Sequence, residues 1–140
     1  MSFPAATNSA QGSCFALSDV CKTPVDGEEK PVAYPNTAML QQSLMQTLSQ
    51  KVFIVGKHAA TVTTEISMSS GDEAGEGGGV VSGTVSGPCK FKTGSRKVFI
   101  EGHGAAYLGS MTAHNNASNS NMPVGTQDMP SQKKVMIGPG

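Results

Sequence analysis

Residues 51–60 read KVFIVGKHAA and residues 97–106 read KVFIEGHGAA, seven identities in ten at a spacing of 46 residues. Each copy is a short apolar run closed by a glycine, then a return segment that opens with Ala-Ala, the pattern of a small β-hairpin. A lone hairpin does not bury its apolar face in water, so copies of this kind must stack on one another. Duplication inside one chain therefore builds pseudo-symmetry without a second subunit.

The rest of the 140 residues favours the same kind of architecture. Glycine (17) and proline (8) are abundant, aromatic residues make up 5%, and tryptophan is absent. Many short strands joined by tight turns suit such a chain better than a helix bundle. Prolines 24, 31 and 35 predict extended pieces between Cys14 and Asn36. The stretch 37–50 has no glycine or proline and carries Leu40, Leu44 and Leu48 at helical spacing, which predicts one short helix. Val62, Thr64, Ile66 and Met68 alternate with polar neighbours as in a half-exposed strand, and Lys133–Ile137 reads as a last strand. Residues 1–13 are small and polar and are expected to form a flexible terminus, with 14–140 as a single, mostly all-β domain.

Ten basic and ten acidic residues cancel, and neither sign forms a run. The densest basic group, Lys90, Lys92, Arg96 and Lys97, reads as solvated strand faces, so no nucleic-acid surface is expected. No apolar run is long enough to span a bilayer, so no membrane anchoring is expected either. The opening MSFPAATNSAQGSC has neither the basic nor the apolar region of a Sec signal. Synthesis in the cytoplasm follows, and any export must use a route that reads no signal peptide. Three cysteines at irregular spacing argue against a disulfide framework.

Cys14, Cys21, Cys89, His58, His103 and His114 are the candidate metal ligands. A structural zinc can contribute on the order of 10 kcal/mol to folding, which matters for a thin core. Neither Cys-x-x-Cys nor His-x-x-x-His spacing occurs, so spacing selects no ligand set. A hydrolase reading would pair Cys21 or a serine with His58, His103 or His114, with Asp19 or Asp72 orienting the imidazole; no Gly-x-Ser-x-Gly elbow is present to support it. The loop GDEAGEGGG (71–79) lacks the ending of a phosphate loop, and its Asp72, Glu73 and Glu76 form a loose cation loop without EF-hand spacing.

Three further stretches carry a resemblance. DVCKTP (19–24) with PVAYPNTAM (31–39), SSGDEAG (69–75) with GGVVSGTVSG, and KVFIEGHGAAYLGSMTAHNN (97–116) occur in that order. Together they resemble the PAAR-like domains of contractile injection systems, relatives of the PAAR-repeat proteins, over roughly Cys14 to Asn121. The resemblance implies a compact conical stack of β-hairpins with pseudo-repeats. It implies a structural spike-tip role, one chain seated on each trimeric VgrG-type spike protein of a type VI secretion or related machine. There the tip sharpens the spike for membrane puncture and helps recruit a separate effector or adaptor. It also implies zinc near the apex, with Cys21 and His114 as the favoured ligands and His103, His58 and Cys14 as further candidates. The stretch VTTEISMSSGDEAG, where PAAR-repeat proteins supply more ligands, has no Cys or His. The expected localisation is the cytoplasm until assembly, then delivery out of the cell or into a target cell; any toxin is expected on a separate polypeptide. The competing reading is a small secreted effector or a metal- or thiol-dependent hydrolase.

Overall fold

The computed structural model describes residues 1–140 and contains thirteen strands, with no helix longer than one turn. The mostly-β expectation holds. The largest element is a hairpin of β2 (Ser13–Val25) and β3 (Glu28–Met39). Its turn, Asp26-Gly27, has φ of +51° and +81°, the doubly left-handed geometry whose twist matches that of paired strands. The body of the hairpin is buried at Cys14, Ala16, Asp19 and Cys21, whereas its far end past Lys22 is largely exposed. β6 (Glu65–Ile66), β8 (Cys89–Phe91), β11 (Met111–His114) and β12 (Met122–Met129) extend the sheet in the order β3-β2-β12-β11-β8-β6. β7 (Gly78–Gly79) pairs with β2 at Cys21 and Lys22.

The two repeats form the hairpins β4–β5 (Phe53–Ile54 with Lys57–His58) and β9–β10 (Phe99–Ile100 with His103–Gly104). Both turn through a left-handed pair, Val55-Gly56 and Glu101-Gly102. The remaining pair, β1 (Phe3–Pro4) with β13 (Met136–Ile137), is a third copy split between the two ends of the chain. Met136 faces Pro4 as Phe53 faces His58 and Phe99 faces Gly104. The backbone bonds repeat in register: Ala5 N–H to Val135, Ala59 N–H to Val52 and Ala105 N–H to Val98, all at 3.0–3.1 Å. The turn entering each arm is held the same way. Ser49 Oγ accepts from Val52 N–H, Ser95 Oγ accepts from Val98 N–H, and Gln132 Oε1 takes that role for Val135.

The three arms close into a ring. Ala6 N–H donates to Ala106, Ala106 N–H to Ala60, and Ala60 N–H to Ala6, at 2.8–3.0 Å. Single β-bridges follow the same cycle, Thr7 to Ala59, Thr61 to Ala105 and Tyr107 to Ala5. Every arm thus bonds to both others, which is three-fold pseudo-symmetry written by one polypeptide. Successive strand residues point to opposite sides, so the Ala-Ala pairs divide the core in two. Ala5, Ala59 and Ala105 pack with Ile54, Ile100 and Ile137 in a six-residue layer to which the large sheet contributes nothing. Ala6, Ala60 and Ala106 face the main core with Cys14, Ala38, Leu40, Leu48, Ile66, Cys89 and Phe91. The three-armed layer is therefore one end of the core. Small side chains at the ring let three backbones approach on a common axis.

Several local expectations need correction. Residues 3–7, read as a flexible terminus, are a packed part of the fold: Ala5, Ala6 and Thr7 are buried and the first strand is paired. The helix expected over 37–50 does not form. Thr37–Met39 remain in β3 opposite Ser13–Phe15, and the rest makes two single 3-10 turns, Leu40–Gln42 and Met45–Thr47. The hydroxyls of Ser43 and Thr47 donate to the carbonyls of Leu40 and Leu44, and Leu44 N–H donates to Glu65, so local and tertiary bonds displace the helical ladder. Leu40 and Leu48 reach the core from separate turns. The alternating 62–68 segment keeps two strand residues, with Thr64 and Ile66 buried and Met68 exposed.

Candidate functional site

A buried polar centre forms where β2, the 71–79 loop and the segment after β11 meet. Asp19 and Cys21 lie two apart on β2 and so project to the same side of the strand. Asp72 arrives from the glycine-rich loop, where Gly75 passes so close to Cys21 that an added Cβ would sit 2.3 Å from its Cβ. Asp19, Cys21 and Asp72 are all fully buried, and one donor atom from each lies within 4.8 Å of the other two.

The two carboxylates are held differently. Asp72 Oδ1 accepts from the N–H and hydroxyl of Ser86, and its Oδ2 faces Cys21 Sγ at 3.9 Å. Asp19 Oδ1 is crowded by the Asn115 and Asn121 amides and by Cys21 Sγ, while Asp19 Oδ2 has no partner. A fully buried carboxylate oxygen without a donor is costly. Burial, followed by the hydrogen bond and charge of Asp19, pushes the Asp72 carboxyl up to about 7, against the lowering effect of the Ser86 N–H. Burial first, then the two carboxylates, pushes the Cys21 thiol up to about 12. The two carboxylates disfavour ionised Cys21 and Asp19 disfavours ionised Asp72, and a proton or a cation between the groups relieves that conflict.

This arrangement can hold a metal ion. Two carboxylate oxygens and a sulfur are donors of the kind that borderline divalent ions accept, and the orphaned Asp19 oxygen points to a missing positive partner. The amide of Asn115 does not complete the set as it stands. Its Oδ1 already accepts from Gly87 N–H and the Thr84 hydroxyl, so its NH2 faces Asp19 and Cys21.

The other expected ligands lie elsewhere. His114 is fully buried, but Nδ1 meets Asn36 Oδ1 and Nε2 meets the Thr112 hydroxyl, both at 2.8 Å. Asn36 in turn donates to Ser69 Oγ, whose hydroxyl donates to the Gly87 carbonyl. His114 thus ties β11 to β3 and, through Asn36, to two loops, with both ring nitrogens engaged. Gly125 lies against its ring with no room for a Cβ. Cys14 and Cys89 belong to the main apolar core. His58 packs at a tilt against the Phe53 ring and bonds through Nδ1 to the Ser49 carbonyl, and His103 is exposed beside the polar 46–50 segment. Of the expected ligands, only Cys21 stands in the group of three. Asp19 had a signal in the sequence, since an Asp two residues before Cys on an extended segment shares its face, whereas nothing local marks Asp72, the one acid of the GDEAGEGGG loop that the fold buries.

Comparison with known families adds one finding. The model of the toxin PAAR-like domain matches residues 12–123, which include both intact arms and all three residues of the polar centre. Neither curated proteins nor solved structures returned a match.

Proposed function

The chain belongs to the toxin PAAR-like domain family, and on that footing we propose that it is a spike-tip protein seated, one chain per trimer, on a VgrG-type spike. Family membership itself supports a spike- or toxin-related role in type VI secretion. The seating rests on one observation, the closed ring of three equivalent arms built from residues 1–7, 49–61, 95–107 and 131–137. A monomer that docks on a homotrimer faces a symmetry mismatch. A chain with three copies of one contact element presents an equivalent contact to each subunit of such a partner. No helix is long and apolar enough to cross a membrane, in keeping with a protein carried on a spike rather than anchored in a bilayer. The polar centre would then stiffen the body above the ring, with Cys21, Asp19 and Asp72 holding zinc in preference to harder ions, because a thiolate ligand disfavours calcium and magnesium. Puncture and recruitment of a separate effector or adaptor follow from the position at the tip.

The competing enzymatic reading asks Cys21 to act as a nucleophile. Its thiol is fully buried and held protonated, which opposes both access and reactivity. The test is native mass spectrometry of the chain mixed with the trimeric spike protein encoded with it. A complex of one chain and one trimer is expected; separate species at micromolar concentration would refute the seating.

A further inference from the structure

The three arms share more than backbone. Their outer strands read Lys51-Val52-Phe53-Ile54, Lys97-Val98-Phe99-Ile100 and Lys134-Val135-Met136-Ile137, aligned by the hydrogen bonds described above. In each, the isoleucine is buried in the six-residue layer while the residue before it is exposed: Phe53 by 54%, Phe99 by 60% and Met136 by 48%. The exposed lysine stands two residues earlier, in the bend that leads into the strand. Every arm therefore presents one exposed apolar knob and, two residues before it in the chain, one exposed ammonium group. Three-fold equivalence places the knobs at the same height and about 120° apart around the ring axis.

Charge is sorted along with them. Residues 1–7, 49–61, 95–107 and 131–137 hold Lys51, Lys57, Arg96, Lys97, Lys133 and Lys134, six of the ten basic residues, against Glu101 alone of the ten acids. A chain neutral overall thus carries a net positive charge on the three arms and a net negative charge on the rest. Glu101 accepts from Ser49 Oγ and Gln50 N–H of the neighbouring arm and lies within reach of the Lys51 charge, so it offsets that lysine in part and leaves the other cations of the arms in excess. Elsewhere Lys92 places its ammonium on the Pro123 carbonyl, whereas the arm lysines are turned to solvent.

From this sorting, and resting on the seating proposed above, we infer that the knob-and-lysine pairs of the three arms are the docking surface. Their partner is the acidic three-fold end of a protein homotrimer, in which each subunit offers an apolar pocket rimmed by carboxylate. The repeat of an apolar group inside each cationic spot selects this occupant over a polyanion. Nucleic acid would reward the charge but leave Phe53, Phe99 and Met136 without a pocket, and a lipid surface, which accepts such side chains anywhere in its plane, would make no use of their three-fold repeat. Opposite charge speeds encounter and fixes register, while the buried knobs carry most of the affinity.

The experiment is titration calorimetry of the full chain with the purified trimeric spike protein encoded with it, over a range of salt concentrations. Affinity of the unmodified chain should fall as salt rises. Phe53→Ala, Phe99→Ala and Met136→Ala should each weaken binding at least about fivefold. The triple reversal Lys51→Glu, Lys97→Glu, Lys134→Glu should weaken it at least about a hundredfold, with melting temperatures preserved. Lys30→Glu, at the exposed far end of the β2–β3 hairpin, should bind as the unmodified chain does. If the unmodified chain binds the trimer and the arm variants stay within twofold of it, this surface assignment is wrong although the seating stands. Absence of any binding by the unmodified chain instead removes the seating itself. Arm-dependent binding to phosphatidylserine vesicles without binding to the trimer would also overturn the inference, in favour of a membrane surface.

Discussion

Replacing Asp72 by Asn tests the electrostatic account of the polar centre most directly. The substitution keeps an oxygen to accept from Ser86 and removes one of two facing carboxylates. Because the folded protein holds the Asp72 proton up to about pH 7 and an unfolded carboxyl releases it near 3.8, the folded state binds the extra proton between those values. The stability this proton contributes is therefore complete below about pH 4 and is lost as pH rises through about 7. The full displacement corresponds to about 4 kcal/mol, and screening by water near the site reduces the expected effect to about 2 kcal/mol. For a chain of this size that is about 6 °C in melting temperature. The assay is thermal melting of chelator-treated protein at pH 4, 5, 6, 7 and 8. Near pH 4 the Asp72→Asn variant should match the unmodified protein, the gap should open steadily above that, and at pH 8 the variant should melt about 6 °C higher. Zinc added at pH 8 should raise the melting temperature of the unmodified protein more than that of the variant. Parallel pH profiles for the two proteins would refute the shared-proton account, since Asp72 is the only titratable group in which they differ.

Two further outcomes follow from packing. Ile54→Ala, Ile100→Ala and Ile137→Ala should each cost about 2–4 kcal/mol in denaturant unfolding, because they fill equivalent places in the six-residue layer; a negligible cost at Ile137 alone would sink the reading of the split third arm. Gly125→Ala puts a Cβ 2.7 Å from the His114 ring and should destabilise by about 1–3 kcal/mol, with the His114 ring resonances shifting in NMR spectra; unchanged stability and unchanged resonances would show that the ring is free to move aside.

The hairpin arms were legible at 51–60 and 97–106 because each copy keeps its strands, its left-handed turn and its Ala-Ala return in one continuous segment. The turn at Asp26-Gly27 was equally open to reading, since that dipeptide favours the doubly left-handed geometry. The third arm was not, although KVMI at 134–137 and PAAT at 4–7 carry the same residues in the same roles. Nothing local joins them. Only the ring, which needs a partner for Ala60 and Ala106 on its open side, brings Ala6 into place.

The same division holds at the polar centre and over the 37–50 segment. Cys21 stood out as a residue of interest, but one-dimensional spacing could not choose its neighbours. Asp72 comes from 51 positions away through a loop whose glycines permit close approach. His114 looked equally suited to a metal, yet Asn36 and Thr112 take both its nitrogens. Leucines at helical spacing predicted a helix where hydroxyl-to-carbonyl bonds and a long-range bond from Leu44 to Glu65 hold two single turns. By itself the sequence determined the strand-and-turn character of the chain, its repeated hairpin and its family, because those depend on periods and turns of a few residues. The number of arms, the ring they close and the company each buried polar group keeps were decided by tertiary structure, because their free energy comes from contacts between segments that share no local signal.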